Sequence, residues 1–228
     1  MIPTRWIKFI AAFLLLPVVW VWTQSFFVVF ARTTVHQRFW ATEEFWFFSL
    51  GALLWVIAFI GIGRFRRAYV FGHELTHAIW IWMMGGRVSN FQVTREGGSL
   101  ETDTNNFLIS LSPYFFPIYS ILLIAAYGIA SLFVDLTPYR RILFLLLGAT
   151  WSFHITFTVW MIPKGQSDLS QNGTFFSLVL IYLLNLILLT VLLVIASPQV
   201  GWHTFGRELL DNAIRFSAWV CSIPVRAG

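Results

Sequence analysis

The 228-residue chain is 58% hydrophobic and only 11% charged, and its mean hydropathy is +0.75. This composition lies far from the usual soluble globular mix and predicts an all-α polytopic membrane protein whose surface contacts a lipid bilayer. The net charge of +5 comes from basic residues scattered in pairs and triplets, without a basic stripe or a base-stacking motif, so a nucleic-acid partner is excluded. The single cysteine, Cys221, excludes an intrachain disulfide and a cysteine metal site.

Six apolar segments are candidates for membrane spans, since each span needs about 20 residues. In chain order they are Trp6–Phe30, Phe45–Gly63, the segment 68–84, Phe107–Val134, Ile142–Ile162 and Thr174–Ala196. We interpret the first as an uncleaved helix, because no small-residue cleavage site is clear. Basic residues precede the first segment at Arg5 and follow the second at Arg64, Arg66 and Arg67. The positive-inside rule predicts that both groups are cytoplasmic.

The third segment carries the sequence His73-Glu74-Leu75-Thr76-His77. Residues four apart lie on one face of a helix, so the two histidines can present imidazole nitrogens to one metal ion. Glu74 stands beside them as a general base, which is the HExxH pattern of zinc metalloproteases. Ionisable groups are costly inside an apolar helix and are functional by default. The alternative is a pair of interface histidines beside a glutamate that reaches toward water. At about 1.5 Å per residue, His73 lies about 10 Å beyond Arg67, inside the membrane near its cytoplasmic side.

A polar insertion follows at residues 87–106, after Gly85-Gly86 ends the motif helix. Apolar and polar residues alternate around Glu96-Gly97-Gly98, which predicts a β-hairpin. An edge of that hairpin could hold an extended peptide by strand addition. A purely structural hairpin explains the pattern equally well.

The fourth apolar segment is interrupted by Pro113 and Pro117. Two prolines four residues apart predict either a kink or an unwound piece, of the kind tolerated where backbone lines a polar cavity. Arg140-Arg141 then indicates a cytoplasmic connector before the fifth segment.

Catalytic zinc sites usually have three protein ligands, and two candidates exist for the third. Asp168 stands in a polar, glycine-bracketed stretch and could instead cap a helix. His154 lies within the fifth span and could instead bond a neighbouring helix. If every apolar segment crosses the membrane once, Asp168 emerges on the face opposite Arg67, which favours His154. A re-entrant stretch, or failure of the proline-broken segment to span, would favour Asp168.

Residues after Gly201 show apolar side chains at helical spacing with charges elsewhere around the helix. This predicts an amphipathic helix on the cytoplasmic interface. We therefore expect one transmembrane domain over residues 1–200, with its core at 68–196, followed by an interfacial helix and tail over 201–228. Both termini are predicted to be cytoplasmic, and a bacterial inner membrane is the expected location.

Three stretches resemble the site-2 protease family of intramembrane zinc metalloproteases. They are His73–Ala78, the Gly85–Val88 that follows it, and Ser167–Leu169 near a late span. The resemblance covers roughly residues 68–175. The family's Asn-x-x-Pro and Leu-Asp-Gly signature is absent, so the resemblance is to an atypical member.

In that family two histidines and an aspartate from a later helix bind zinc, and the glutamate activates water to cut a substrate's transmembrane segment. Carried over, the resemblance implies that His73, His77 and Asp168 hold Zn²⁺ and that Glu74 is the base, and it ranks Asp168 above His154. The implied function is proteolysis of a membrane-protein substrate in or near its span. Two other functions remain open, a metal-binding transporter and an assembly scaffold without catalysis.

Overall fold

A computed structural model describes residues 4–61, 65–94, 97–197 and 200–222. The helices are α1 (Thr4–Gln37), α2 (Glu43–Gly61), α3 (Arg66–Met83), α4 (Phe107–Phe115), α5 (Ile118–Ser131), α6 (Arg140–Met161), α7 (Ser167–Asn172), α8 (Thr174–Ala196) and α9 (Trp202–Ser222). The strands are β1 (Val88–Val93) and β2 (Gly98–Thr102). Gly63, Arg64, Glu96 and the tail from residue 223, all used in the predictions above, lie outside the described residues.

Among the described residues, four helical segments are long and apolar enough to cross a membrane. They are Thr4–Val35, Glu43–Gly61, Thr137–Lys164 and Thr174–Ile195. The bent pair α4 and α5 brings the number to five if it counts as one span. The chain is therefore a mostly helical membrane protein. One predicted span remains, the third in chain order, and it corresponds to α3. Two arginines, two histidines and one glutamate reduce the apolar character of this helix.

The predicted break in the fourth apolar segment is confirmed. Helix α4 ends at Phe115, and α5 leaves it at an angle of 75°. Phe116 has extended backbone angles (φ −102°, ψ 102°) because the ring of Pro117 disfavours helical geometry in the preceding residue. Pro113 is tolerated inside α4.

The predicted hairpin is also confirmed, as an antiparallel β1–β2 pair that aligns Val88 with Thr102 and Val93 with Gly98. The Asp103 carboxylate closes its base, accepting hydrogen bonds from the backbone N–H of Arg87 at 2.8 Å and from the Thr104 hydroxyl at 3.0 Å. These two bonds hold the pKa of the Asp103 carboxyl below its usual range, so it is charged at neutral pH.

Helices α2 and α6 run parallel with their backbones in direct contact. A Cβ atom on Gly51 would collide with the carbonyl of Leu145, and one on Gly148 would collide with the carbonyl of Phe48. Small residues allow this close approach between membrane helices. Further along the pair, the Trp55 indole donates to the Thr156 hydroxyl at 2.9 Å.

The same pairing corrects the predicted orientation of Arg140-Arg141. Arg141 forms a two-pronged ion pair with Glu43 at 2.7 and 2.8 Å, and Arg140 meets Glu44 at 2.9 Å. These arginines thus lie at the start of α2, whereas Arg66 follows its end. The two basic groups therefore lie at opposite ends of α2, a helix long and apolar enough to span a membrane. For a spanning α2, the prediction that both groups are cytoplasmic is wrong.

The chain clusters into two compact units, one of residues 41–177 and the other of residues up to 40 with those from 178 onward. In the second of these, α9 packs on α1. Asn212 donates to the Ser25 hydroxyl at 3.0 Å, and Arg32 pairs with the buried Glu208 at 2.6 Å. Ser25 lies about 30 Å along α1 from Arg5, which is about the thickness of the bilayer core. The contacts of α9 at Ser25 and Arg32 therefore lie on the half of α1 that is remote from Arg5. The cytoplasmic placement of both termini stays a prediction.

Candidate metal centre

Helix α3 presents His73 and His77 on one face, as their spacing predicts. Their Nε2 atoms are 3.2 Å apart, and their ring centroids are 4.8 Å apart. Only 10% of the His73 side chain and 11% of the His77 side chain are exposed. Between them Glu74 is buried. The helix thus turns three ionisable groups toward the interior of the residue 41–177 unit.

Asp168 joins the two histidines from the short helix α7. Its Oδ2 lies 3.3 Å from Nε2 of His73 and 3.8 Å from Nε2 of His77. The turn after α6 reaches this position through Gly165, whose φ of +73° suits glycine. Within the part of the chain that the structure describes, these three residues form the group whose ligand atoms lie close enough to hold one metal ion.

Counting each apolar segment as one crossing separates Asp168 from the start of α3, whereas Asp168 and Arg66 line the same cavity. The structure shows why that count fails. The hairpin after α3 folds back so that Gly98 lies against Glu74, and α4 begins beside His77. Helix α5 then leads away from the site, and α6 leads back to it. The chain therefore returns Asp168 to the end of the unit where α3 begins.

His154 lies outside this cluster. It is a buried residue of α6 and lines a separate cavity of about 20 Å³ behind His73, next to Thr76 and Thr158. The two candidates for a third ligand are thus separated by position, with the Asp168 carboxylate at the histidine nitrogens and His154 on the far side of His73.

The hydrogen bonds around the cluster leave the inner nitrogens available to a metal. Nδ1 of His77 lies 2.9 Å from the carbonyl oxygen of Ile109. A carbonyl only accepts, so Nδ1 carries the proton and Nε2 keeps its lone pair. The hydroxyl of Tyr69 lies 3.2 Å from Nδ1 of His73 and can accept in the same way.

The distances are also in the range for ligands of one metal ion, with tetrahedral zinc as the reference. With Zn–N and Zn–O bonds of about 2.0–2.1 Å, neighbouring ligand atoms in a tetrahedron are about 3.3–3.4 Å apart. The three separations in this cluster are 3.2, 3.3 and 3.8 Å. The residues present therefore fit a metal ion held by three protein ligands.

The cluster opens onto a polar cavity of about 570 Å³. Glu74 lines this cavity with the three candidate ligands, and β2 forms part of its wall. Arg66 and Lys164 also line it and supply positive charge. A cavity of this size is in the range of small-ligand sites.

Two tyrosines contact the candidate ligands from outside the metal position and are not among the predicted site residues. Tyr69 precedes His73 by four residues, a spacing that places both on one face of α3, so its role was readable from the sequence. Tyr114 donates to Oδ2 of Asp168 at 3.1 Å. It lies between the two prolines of the broken segment, and no local pattern connects it to a residue 54 positions later.

The Gly98 contact yields a prediction about Glu74. A Cβ on Gly98 would overlap the Glu74 side chain, whereas a Cβ on Gly97 would meet nothing within 4 Å. We expect Gly98→Ala to displace the Glu74 carboxylate. On the hydrolytic activity proposed below, this displacement should lower kcat about tenfold to a hundredfold, the cost of misplacing a catalytic group by about 1 Å. Gly97→Ala is the matched control and should retain full activity. Equal activity of the two variants would show that β2 does not fix Glu74.

The fold and the cluster together define a polytopic helical membrane protein with a largely buried His–His–carboxylate group. Comparison of the chain with protein-family models, with curated proteins and with solved structures finds no match in any of the three.

Proposed function

We propose that this protein is an intramembrane zinc metalloprotease that cleaves a peptide bond in or near the transmembrane segment of a membrane-protein substrate. One observation carries the proposal. His73, His77 and Asp168 direct three ligand atoms to one point, and Glu74 lines the same cavity. This is the donor set and base of a hydrolytic zinc site.

Each residue of the site has a separate role in the proposed hydrolysis. His73, His77 and Asp168 would hold the ion, which when bound supplies Lewis-acid polarisation of the scissile carbonyl and lowers the pKa of water toward about 7. Glu74 takes the proton of the attacking water and delivers it to the leaving amine. Ile109 and Tyr69 orient the two imidazoles from outside.

The position of the site suits a substrate that arrives from the bilayer. His73 lies about 10 Å along α3 from Arg66, within a membrane whose cytoplasmic face we assign to Arg66 and Arg67. We propose that α3 is also embedded in the membrane, which gives six such segments in all, and that the membrane is a bacterial inner membrane. Because Gly98, Ser99, Leu100 and Thr102 line the cavity, the open edge of β2 is our candidate for holding an extended substrate strand.

Reconstitution tests the proposal directly. The protein is incorporated into phospholipid vesicles with a panel of single-span reporter proteins whose spans contain helix-weakening residues. We expect cleavage within or beside the span, mapped by mass spectrometry, that stops with 1,10-phenanthroline and returns when zinc is added. Zinc uptake into the vesicles with no cleavage across the panel would replace the protease with a transporter. A protein with neither zinc nor cleavage would fit the assembly scaffold.

A further inference from the structure

Helix α4 offers hydrogen-bond partners to two of the three candidate ligands from outside the metal position. It supplies the carbonyl of Ile109 to His77 and the hydroxyl of Tyr114 to Asp168. We infer that Tyr114 is a positioning residue that orients the Asp168 carboxylate toward the two histidines. The metal site is then complete only when α4 is packed against His77 and Asp168. This inference rests on the metal site of the proposed function and goes beyond it.

The geometry of the hydroxyl contact carries the first step. Tyr114 donates to Oδ2 at 3.1 Å, and Oδ2 is the oxygen that lies nearest the histidine nitrogens. A carboxylate oxygen has two lone pairs, so one can accept from Tyr114 while the other faces the metal position. The bond therefore fixes the rotation of the carboxylate with the correct oxygen inward.

The other anchors of α7 act on its backbone. The buried Leu169 holds the helix in place, and Ser177 donates to the Leu169 carbonyl at 3.1 Å. Asn172 donates to the carbonyl of Asp168 at 3.0 Å. These contacts hold the backbone of α7 and do not involve the Asp168 carboxylate. The Tyr114 hydroxyl acts on the carboxylate itself.

The position of Tyr114 follows from the break in the membrane segment. Tyr114 is 1% exposed, and its ring meets His73 edge to face at 5.5 Å. It is the penultimate residue of α4, just before the turn at Phe116-Pro117. A straight helix through this segment would carry α5 onward along the axis of α4. The 75° bend lets α4 lie against the ligands while α5 leads away.

Tyr114→Phe is the test, because it keeps the ring against His73 and deletes only the hydroxyl. We expect the zinc dissociation constant, measured by chelator competition in detergent, to rise about tenfold to a hundredfold, the usual cost of losing an outer-shell partner. The visible absorption of the cobalt-substituted protein should change as well, because the carboxylate changes its orientation. Purely structural damage away from the site would not alter this spectrum.

Tyr127→Phe is the matched control. Tyr127 donates its hydroxyl to the Leu136 carbonyl at 2.9 Å, at the far end of α5. This variant should keep the wild-type dissociation constant and spectrum. In Asp168→Ala protein, which retains two histidine ligands, Tyr114→Phe should cause no further loss of affinity.

The outcomes separate the inference from the proposed function. Unchanged zinc affinity and an unchanged cobalt spectrum in Tyr114→Phe would overturn the inference and leave the protease proposal standing. Weakened zinc binding in Tyr114→Phe, with no cleavage of any reporter by wild type, would support the inference and overturn the protease. Absence of zinc and cobalt binding in wild type would overturn both.

Discussion

Glu74→Gln is expected to lower kcat by about 10² to 10⁴, the range that general-base catalysis contributes, while zinc content stays at the wild-type level. Glutamine has the shape of glutamate, so it can keep the buried position of Glu74 against Gly98. It cannot accept the proton of the attacking water. Initial rates of reporter cleavage in vesicles, with metal content measured on the same preparation, give both quantities.

Glu101→Gln is the matched control for this variant. Glu101 is an exposed carboxylate of β2 that accepts a hydrogen bond from Asn90 at 3.0 Å. The same chemical change there should leave both kcat and zinc content unaltered. Full activity of Glu74→Gln would exclude Glu74 as the base. Loss of zinc from Glu74→Gln would make Glu74 a ligand and would reopen the choice of the base.

Asp168→Ala should reduce zinc from about one ion per chain to a trace after dialysis, because catalytic zinc sites depend on three protein ligands. His77→Ala should do the same. In contrast, His154→Ala should retain its zinc, since His154 lies outside the cluster in a separate cavity. The measurement is elemental analysis of purified protein in detergent, with thermal unfolding of each variant recorded alongside.

The His154 variant decides between the two candidates for the third ligand. Loss of zinc from His154→Ala together with retention in Asp168→Ala would transfer the third position to His154. Loss from both variants, with unfolding curves like those of wild type, would mean that His154 supports the site from behind His73. Retention in every variant would remove the metal site from α3 altogether.

The local features of this chain could be read from its sequence. The motif helix depends on a spacing of four residues, the hairpin on alternation around glycines, and the break on Pro117. Each of these signals acts within a few residues, so the structure reproduces all three. The choice between Asp168 and His154 depends instead on how many times the intervening 90 or so residues cross the membrane, and no local pattern encodes that number.

The orientation of α6 escaped prediction for a related reason. The positive-inside rule counts basic residues near the ends of a span and gives no weight to their partners. Arg141 is paired with Glu43, which lies 98 positions earlier in the chain. Only the packing of α2 on α6 reveals this pairing, and with it that the two helices run in the same direction.

That packing also limits how the molecule can move. Helices in backbone contact at Gly51 and Gly148 cannot slide or rotate past each other without a collision, so α2 and α6 form one rigid pair of helices. Tyr69 stacks flat on Phe157 of α6, with ring centroids 4.6 Å apart, and this contact holds the start of α3 against the pair. Among the described residues, the hairpin packs on α3 and not on this pair of helices. On the proposed function, we therefore expect a peptide to enter by displacing the hairpin, while α4 keeps its contacts with His77 and Asp168.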